Sequence, residues 1–180
     1  MFYLKRMIWP FRRKSKKRMA RIVIDEPITS STRVSVLKAL KQIEDREFPA
    51  LIVRIDSPGG TVGDSQEIYS AIKRLKDKGC KVIASFGNIS ASGGVYIGVA
   101  SDKIVANPGT ITGSIGVIIR GNNLSDLLDK IGIKFETVKS GVYKDILSPD
   151  KPLSEEGREL LQGLIDESYK QFTEAVSEGR

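Results

Sequence analysis

The chain has 180 residues, 40% of them hydrophobic, so it can bury one sizeable core but is too short for two typical domains. Nine of the 29 basic residues lie in the first 21 positions, where no acid occurs, and the remainder is nearly neutral. The absence of histidine excludes Ser-His-Asp triads, Cys-His dyads and histidine-ligated metals, and the single cysteine, Cys80, excludes an internal disulfide. We therefore expect no metal and no cofactor, and any nucleophile needs a base other than histidine.

Residues 1–19 form a basic and aromatic tail ahead of an expected domain over residues 20–180. No apolar run in the tail approaches the roughly 18 residues that span a bilayer, and none resembles the apolar core of a secretory signal. Aromatic side chains beside a polybasic cluster favour peripheral attachment of residues 1–18 to an anionic membrane surface, with the cytoplasmic face preferred. A disordered solubilising tail is the alternative. Nucleic acid is not an expected partner, because the domain shows no second basic patch.

From Ala20 onward, short apolar runs alternate with segments of helical period, which is typical of a layered α/β domain. The run ALIVRI (50–55) is apolar at nearly every position, which predicts a strand buried on both faces. The other predicted strands lie at residues 20–24, 81–86, near 104, at 115–119 and at 135–139. Helices are predicted after Ser30, around 68–75, near 92–100 and from Ser154.

The turn DSPGG (56–60) directly follows the apolar strand ALIVRI. Open α/β sheets usually place their sites at the carboxyl ends of strands. The paired glycines leave backbone N–H groups uncovered, which suits an oxyanion hole. Taken alone, the motif favours a plain strand-to-helix turn.

A second glycine-rich turn contains Ser90 and Ser92, the latter followed by Gly93 and Gly94 at the start of a predicted helix. A serine in this setting can expose its hydroxyl, and the N–H that follows it can face a developing oxyanion. Either serine is also a plausible helix N-cap, which is the usual role of a serine before a helix.

Lys144 follows a predicted strand and has apolar neighbours, including Tyr143 and Ile146, that can desolvate an ammonium group. A surface lysine paired with the adjacent Asp145 is the alternative interpretation. Local chemistry does not decide between the two.

Four motifs together resemble the protease IV or signal peptide peptidase A family, over about residues 20–180. The combination is far more specific than any one of its pieces. In chain order they are SPGG (57–60), SASGGVYI (90–97), SDKIVANPGTITGSIGV (101–117) and SGVYKDILSP (140–149).

The resemblance implies a serine endopeptidase with Ser92 as nucleophile, Lys144 as general base and Ser114 hydrogen-bonded to the lysine. The N–H groups of Gly93 and of either Gly59 or Gly60 would hold the oxyanion. The implied fold is the ClpP/crotonase-like α/β superhelix of repeated ββα units. The implied assembly is an octamer-like ring of identical chains, with serine and lysine contributed by neighbouring protomers. The implied substrates are cleaved signal peptides and other unfolded apolar peptides, degraded at a membrane.

Two other functions remain open on sequence grounds. A crotonase-type acyl-CoA hydratase or isomerase shares the implied fold, but such enzymes usually employ a carboxylate base and need no serine of this kind. An inactive membrane-surface scaffold is the second alternative, because family members are commonly tethered by a transmembrane helix and continue past the pattern that ends here at Arg180. We therefore expect the chain to be a fragment, with its final packing incomplete.

Overall fold

The computed structural model describes residues 18–180, so residues 1–17, which hold most of the predicted tail, lie outside the described part. Four strands form a parallel sheet in the order β1-β2-β3-β4, and a fifth strand pairs in parallel with the carboxyl end of β3. The strands are β1 (Met19–Ile24), β2 (Ala50–Ser57), β3 (Lys81–Ala91), β4 (Lys103–Val105) and β5 (Ile111–Gly113).

Helices alternate with the first four strands, because parallel neighbours need a crossover connection. The helices are α1 (Ser30–Asp45), α2 (Val62–Asp77), α3 (Gly93–Gly98), α4 (Ser125–Lys130) and α5 (Glu155–Glu178). The α/β class predicted from the sequence is confirmed. No helix within residues 18–180 has both the length and the apolar character that crossing a membrane requires.

The main core lies between one face of the sheet and helices α1 and α2. On β2 the side chains of Leu51, Val53 and Ile55 are buried there, whereas Ile52 and Arg54 on the opposite face are only half-buried. The expectation of a strand buried on both faces is therefore wrong. Because the run ALIVRI of β2 is apolar at nearly every position, its sequence does not show which face of the strand is buried and which is only half-buried.

A row of aromatic rings ties α5 to the end of the sheet where β3 passes into α3. Phe172 of α5 is buried and packs against Tyr96 of α3, with ring centroids 4.9 Å apart. Tyr96 in turn meets Tyr69 of α2 edge-on at 5.1 Å, and burial raises the pKa of Tyr96. Cys80 lies buried just before β3, and burial likewise raises the pKa of its thiol. The long C-terminal helix thus supports the short helix that follows Ser92.

Two of the predicted strands do not form. Residues 115–119 and 135–139 have no strand partner, and their apolar side chains lie largely exposed, as for Ile118 (77%) and Phe135 (58%). An apolar run becomes a strand only where a neighbouring strand accepts its backbone hydrogen bonds, and within residues 18–180 none is positioned to do so. The short helix α4, between these two runs, was not predicted.

Candidate active site

The site is built at the carboxyl ends of β2 and β3, where their pairing becomes irregular. Ile55 pairs with Phe86, but the next pair joins Ser57 to Ser90. Between the two pairs β2 advances by two residues while β3 advances by four. The extra length carries β3 on to Ala91, five residues beyond its predicted end, and delivers Ser92 to the turn that follows β2.

Ser92 has a backbone conformation that residues with a side chain rarely adopt, with φ at +51° and ψ at −119°. Such a conformation costs on the order of 1–3 kcal/mol and persists only where the surroundings enforce it. Here the Ser92 N–H donates to the carbonyl oxygen of Gly113 at 2.8 Å, and the Ser92 carbonyl accepts from the N–H of Tyr96 at 3.0 Å. The serine is therefore held in a sharp strand-to-helix turn from both sides.

The two serines of this turn have different roles. Ser90 is fully buried, and its hydroxyl donates to the carbonyl oxygen of Ile55 at 3.0 Å, so it joins the two strands. Ser92 occupies the N-cap position of α3, but its side chain makes no capping hydrogen bond and is only half-buried. The N-cap interpretation of either hydroxyl is thus wrong, and Ser92 keeps the accessible one.

Gly59 lies directly against Ser92. Its φ of +102° is open to glycine, and a Cβ at this position would lie 2.7 Å from the Cβ of Ser92 and 2.8 Å from the nitrogen of Gly93. The turn after β2 and the turn after β3 are therefore in contact through their backbones. No side chain fits between them.

Among the N–H groups of Gly59, Gly60 and Gly93 near Ser92, those of Gly60 and Gly93 are the candidates for an oxyanion hole. The Gly59 N–H already donates to the Ser57 hydroxyl at 3.2 Å. Gly60 forms an isolated parallel β-bridge with Ile28, but the hydrogen bonds of this bridge come from the residues on either side of Gly60. The Ile28 N–H donates to the Gly59 carbonyl, and the Thr61 N–H donates to the Ile28 carbonyl. The Gly60 N–H is left out of that bridge.

The N–H of Gly93, the first residue of α3, is among the donors that a helix leaves without an internal partner. The nitrogen of Gly60 lies 3.4 Å from the position that a Gly93 Cβ would occupy. Within residues 18–180 neither N–H group donates to another residue, and the two lie close together beside Ser92.

Ser65 of α2 is a supporting residue that the sequence analysis did not single out. Its buried hydroxyl donates to the Thr61 carbonyl at 2.8 Å and lies 2.3 Å from where a Gly93 Cβ would be. The glycine at position 93 thus lets α3 approach α2 closely. In sequence, only the helical spacing of Thr61 and Ser65 marks this serine, and that spacing is common.

Ser114 lies next to Gly113, whose carbonyl holds the Ser92 backbone, so the chain brings it beside the nucleophile turn. It is exposed and has a φ of +53°. Among residues 18–180 its hydroxyl makes no hydrogen bond with Lys144. The predicted Ser114–Lys144 contact stays a prediction.

Lys144 lies exposed on a 3-10 helical turn (Val142–Asp145), and within the described chain its ammonium group makes no hydrogen bond or ion pair. The neighbouring Asp145 carboxylate instead binds Lys139 at 2.7 Å and Lys151 at 2.5 Å. Lys139, and then Lys151, lower the pKa of Asp145 to about 2. The interpretation of Lys144 as the partner of Asp145 is therefore wrong. The structure gathers Ser92, Gly59, Gly60 and Gly93 into one site but does not join Lys144 to it by a bond.

Comparison with known proteins gives relatives that are described as proteases. The chain is 60% identical over 174 residues to "Putative protease slr0021" of Synechocystis, covering 97% of this chain and 62% of that protein. It is 38% identical to "Serine protease SPPA, chloroplastic" of Arabidopsis thaliana, covering 76% of this chain and 20% of that protein. The chain thus spans less than two thirds of the length of either relative.

Among solved structures, a mutant of the 1510-N membrane-bound stomatin-specific protease superposes with a TM-score of 0.47 and 27% identity, over 58% of this chain and 49% of that one. The sequence model of peptidase family S49 matches residues 74–180, which is more than half of the chain. That range includes Ser92, Ser114 and Lys144. On this match, the chain belongs to peptidase family S49.

Proposed function

We propose that this chain is the catalytic part of a serine endopeptidase in which Ser92 is the nucleophile and Lys144 the general base. The observation that carries the proposal is the conformation of Ser92. Its half-buried hydroxyl makes no capping bond, its backbone is held at positive φ, and the N–H groups of Gly60 and Gly93, which donate to no other residue within 18–180, lie close together beside its turn. A strained serine next to a pair of available N–H donors is the arrangement that acyl transfer uses.

The reaction would follow ordinary acyl transfer. Lys144, in its neutral form, accepts the Ser92 proton as Oγ attacks the scissile carbonyl. The N–H groups of Gly93 and Gly60 stabilise the oxyanion, and we infer Gly60 rather than Gly59 because the Gly59 N–H is already engaged by Ser57. Lysine returns the proton to the leaving amine, and water then hydrolyses the acyl-enzyme.

A second copy of the chain would complete the site. A lysine base must be neutral, whereas an ordinary lysine has a pKa of about 10.4, so the base must be removed from water. In a single chain Lys144 is exposed, and so are the apolar side chains of the segment around it. So many exposed apolar side chains in one segment favour an interaction with another chain. The exposed apolar residues of this segment are Ile111, Ile115, Ile118, Ile119, Leu124, Leu127, Ile131, Ile133, Phe135, Val138, Val142, Tyr143 and Leu147.

Labelling with a fluorophosphonate and hydrolysis of peptidyl-coumarins test the dyad. The full-length protein should label, and Ser92→Ala should abolish both labelling and hydrolysis. The matched control is Ser70→Ala, an exposed serine on α2. Lys144→Met should slow both reactions steeply and change their pH profile, whereas Lys134→Met, at another exposed lysine, should not. Full activity of the Ser92→Ala protein would overturn the nucleophile assignment, and an unchanged Lys144→Met protein would overturn the base.

Mixing two inactive variants tests whether the dyad is shared between chains. Ser92→Ala chains retain the lysine and Lys144→Met chains retain the serine. If the residues act across a subunit boundary, co-assembly of the two variants should restore part of the activity. Restoration should rise with protein concentration, in parallel with the mass measured by sedimentation. Mixtures that assemble but stay inactive would place the dyad within one chain.

We further propose that the substrates are cleaved signal peptides and other unfolded apolar peptides, as the family resemblance implies, and that residues 1–18 bind an anionic membrane surface. Sedimentation with vesicles containing phosphatidylserine tests the second point. Binding should weaken with added salt, because charge contributes most of it. Removal of residues 1–18 without any change in sedimentation would refute the role of the tail.

A further inference from the structure

The irregular pairing of β2 and β3 leaves backbone donors of β3 without a strand partner. Residues 87–89 lie between the pairs Ile55–Phe86 and Ser57–Ser90, so they have no counterpart in the ladder other than Asp56. Ile89 is half-buried, and a backbone N–H removed from water is costly to leave unsatisfied. The Ile89 N–H therefore needs an acceptor within the protein.

The Asp56 carboxylate is that acceptor. Its Oδ1 accepts the Ile89 N–H at 3.0 Å. This bond, and the N–H of Asn88 after it, lower the pKa of Asp56. The side chain of Asp56 thus stands in for the strand backbone that β2 lacks at this point.

The opposing residue is shaped to receive the carboxylate. A Cβ on Gly87 would lie 2.4 Å from the Cγ of Asp56 and 2.5 Å from its Oδ2, so only glycine leaves room there. The nearby cation, Arg54, is turned to other acceptors and binds the Ser85 hydroxyl at 3.0 Å and the Phe86 carbonyl at 2.9 Å. The carboxylate is therefore committed to the backbone of β3.

We propose that Asp56 is a positioning residue for Ser92. It fixes the irregular register in which four residues of β3 lie against two residues of β2, and this register brings the nucleophile beside Gly59 and Gly60. After Phe86 the register of β3 against β2 is shifted by two residues, so that Ser90 is paired with Ser57. Ser92 is the second residue after Ser90, so its position depends on this shift. Loosening of this register would shift Ser92 relative to the two N–H donors. The inference rests on the proposed role of Ser92.

An ionised carboxylate fits this position better than an amide does. It only accepts hydrogen bonds, and it can accept from both N–H groups at once. An asparagine of the same shape would offer one acceptor and direct its NH₂ group at a second donor. Asp56→Asn is thus a small change in volume that removes the specific interaction.

The experiment compares the wild type with Asp56→Asn and Asp56→Ala in the full-length protein. The control is Asp25→Asn, because Asp25 follows β1 at the level of Asp56, is exposed and makes no hydrogen bond with its carboxylate in residues 18–180. Three quantities are measured: the second-order rate of fluorophosphonate labelling, the final labelled fraction, and amide hydrogen exchange at Asn88 and Ile89.

Both Asp56 variants should label more slowly, by up to about 100-fold, since a misplacement of about 1 Å can cost that much. Their final labelled fraction should be unchanged, and exchange at Asn88 and Ile89 should become faster. Kinetics on a peptide should show a fall in kcat with little change in KM. The Asp25→Asn protein should match the wild type in every respect.

Three outcomes would overturn the inference. The first is a folded Asp56→Asn protein that labels at the wild-type rate, and the second is unchanged hydrogen exchange at the Asn88 and Ile89 amides. The third is a smaller labelled fraction in which the labelled molecules react at the normal rate, because that result indicates misfolding alone. If Asp56→Ala does not fold, the near-isosteric asparagine variant still decides. Absence of labelling in the wild type, by contrast, refutes the proposed function, and amide exchange then tests the Asp56 contacts by themselves.

Discussion

Gly59 packs directly against Ser92: a Cβ placed on Gly59 would come within 2.7 Å of the Cβ of Ser92. They belong to turns that follow adjacent parallel strands, 33 positions apart in the numbering. Contact at this distance means that the geometry around the nucleophile depends on the absence of a side chain. Substitutions at Gly59 and Gly93 can therefore be compared by their effects on Ser92 labelling and on the free energy of unfolding.

Gly59→Ala should reduce fluorophosphonate labelling of Ser92 by about 100-fold or more, because both the clash and the positive φ of +102° oppose a side chain there. The matched control is Gly63→Ala on α2, where a Cβ meets nothing within 4 Å. That change should leave labelling intact and stabilise the fold by up to about 1 kcal/mol, since alanine is the better helix former. Equal labelling of the two variants would contradict the close contact.

Gly93→Ala should be partly rescued by Ser65→Ala. The alanine at position 93 would clash with the Ser65 hydroxyl, 2.3 Å away, and removal of that hydroxyl relieves the clash. Ser65→Ala alone loses one hydrogen bond to Thr61, worth about 1 kcal/mol. A double-mutant cycle of unfolding free energies should therefore show favourable coupling of about 0.5–3 kcal/mol. Strictly additive losses would show that the two residues do not meet.

Asp145→Asn should loosen the turn that carries Lys144 and lower peptidase activity without altering Lys144 itself. The pKa of Asp145 is lowered to about 2, so its ion pairs stabilise the folded state fully above about pH 4 and lose this effect as the pH falls toward 2. Urea unfolding of the wild type and the variant should accordingly differ at pH 6, and the difference should shrink from about pH 4 and vanish only as the pH approaches 2. Asp129→Asn, on the exposed side of α4, is the control. A difference that is independent of pH would argue against the ion pairs.

Phe172→Ala should destabilise the fold by about 3–5 kcal/mol, the usual cost of removing a buried aromatic ring. The ring packs on Tyr96, so its loss should also slow Ser92 labelling through α3. Leu164→Ala on the same helix is the comparison, because Leu164 is exposed and its truncation should change stability by about 0.5 kcal/mol or less. Urea unfolding measures both. Equal costs would mean that α5 does not dock through Phe172.

Local periodicity predicted strands β1 to β4 and four of the five α-helices within residues 18–180, but neither β5 nor α4. The strands at 20–24, 50–55 and 81–86 and the helix after Ser154 all appear where apolar spacing placed them, because each buries its own apolar face within the chain. The runs at 115–119 and 135–139 did not form strands. Both runs are apolar, but within residues 18–180 no neighbouring strand pairs with their backbone, and their side chains stay exposed.

The candidate site was predictable only in part, for a different reason. Motifs identified Ser92 and its glycines, and the missing histidine pointed to a lysine base. The roles of Asp56, Ser65 and Asp145 depend on register and on packing between distant segments, which spacing along the chain does not encode. The exposure of Lys144 agrees with the surface lysine that the sequence left open, but its separation from Asp145, which binds Lys139 and Lys151 instead, depends on the fold of the turn.

The four-against-two step between β2 and β3 makes this region sensitive to chain length as well as to the identity of Gly87 and Asp56. Side chains alternate between the two faces of a strand with a period of two, so loss or gain of a single residue within 87–89 would turn Ser90 outward and rotate Ser92 away from Gly60. Loss of two residues would restore the face but draw the nucleophile back by about 7 Å. Homologous sequences should therefore keep the same number of residues between Phe86 and Ser92 and a glycine at position 87, while positions 88 and 89 vary.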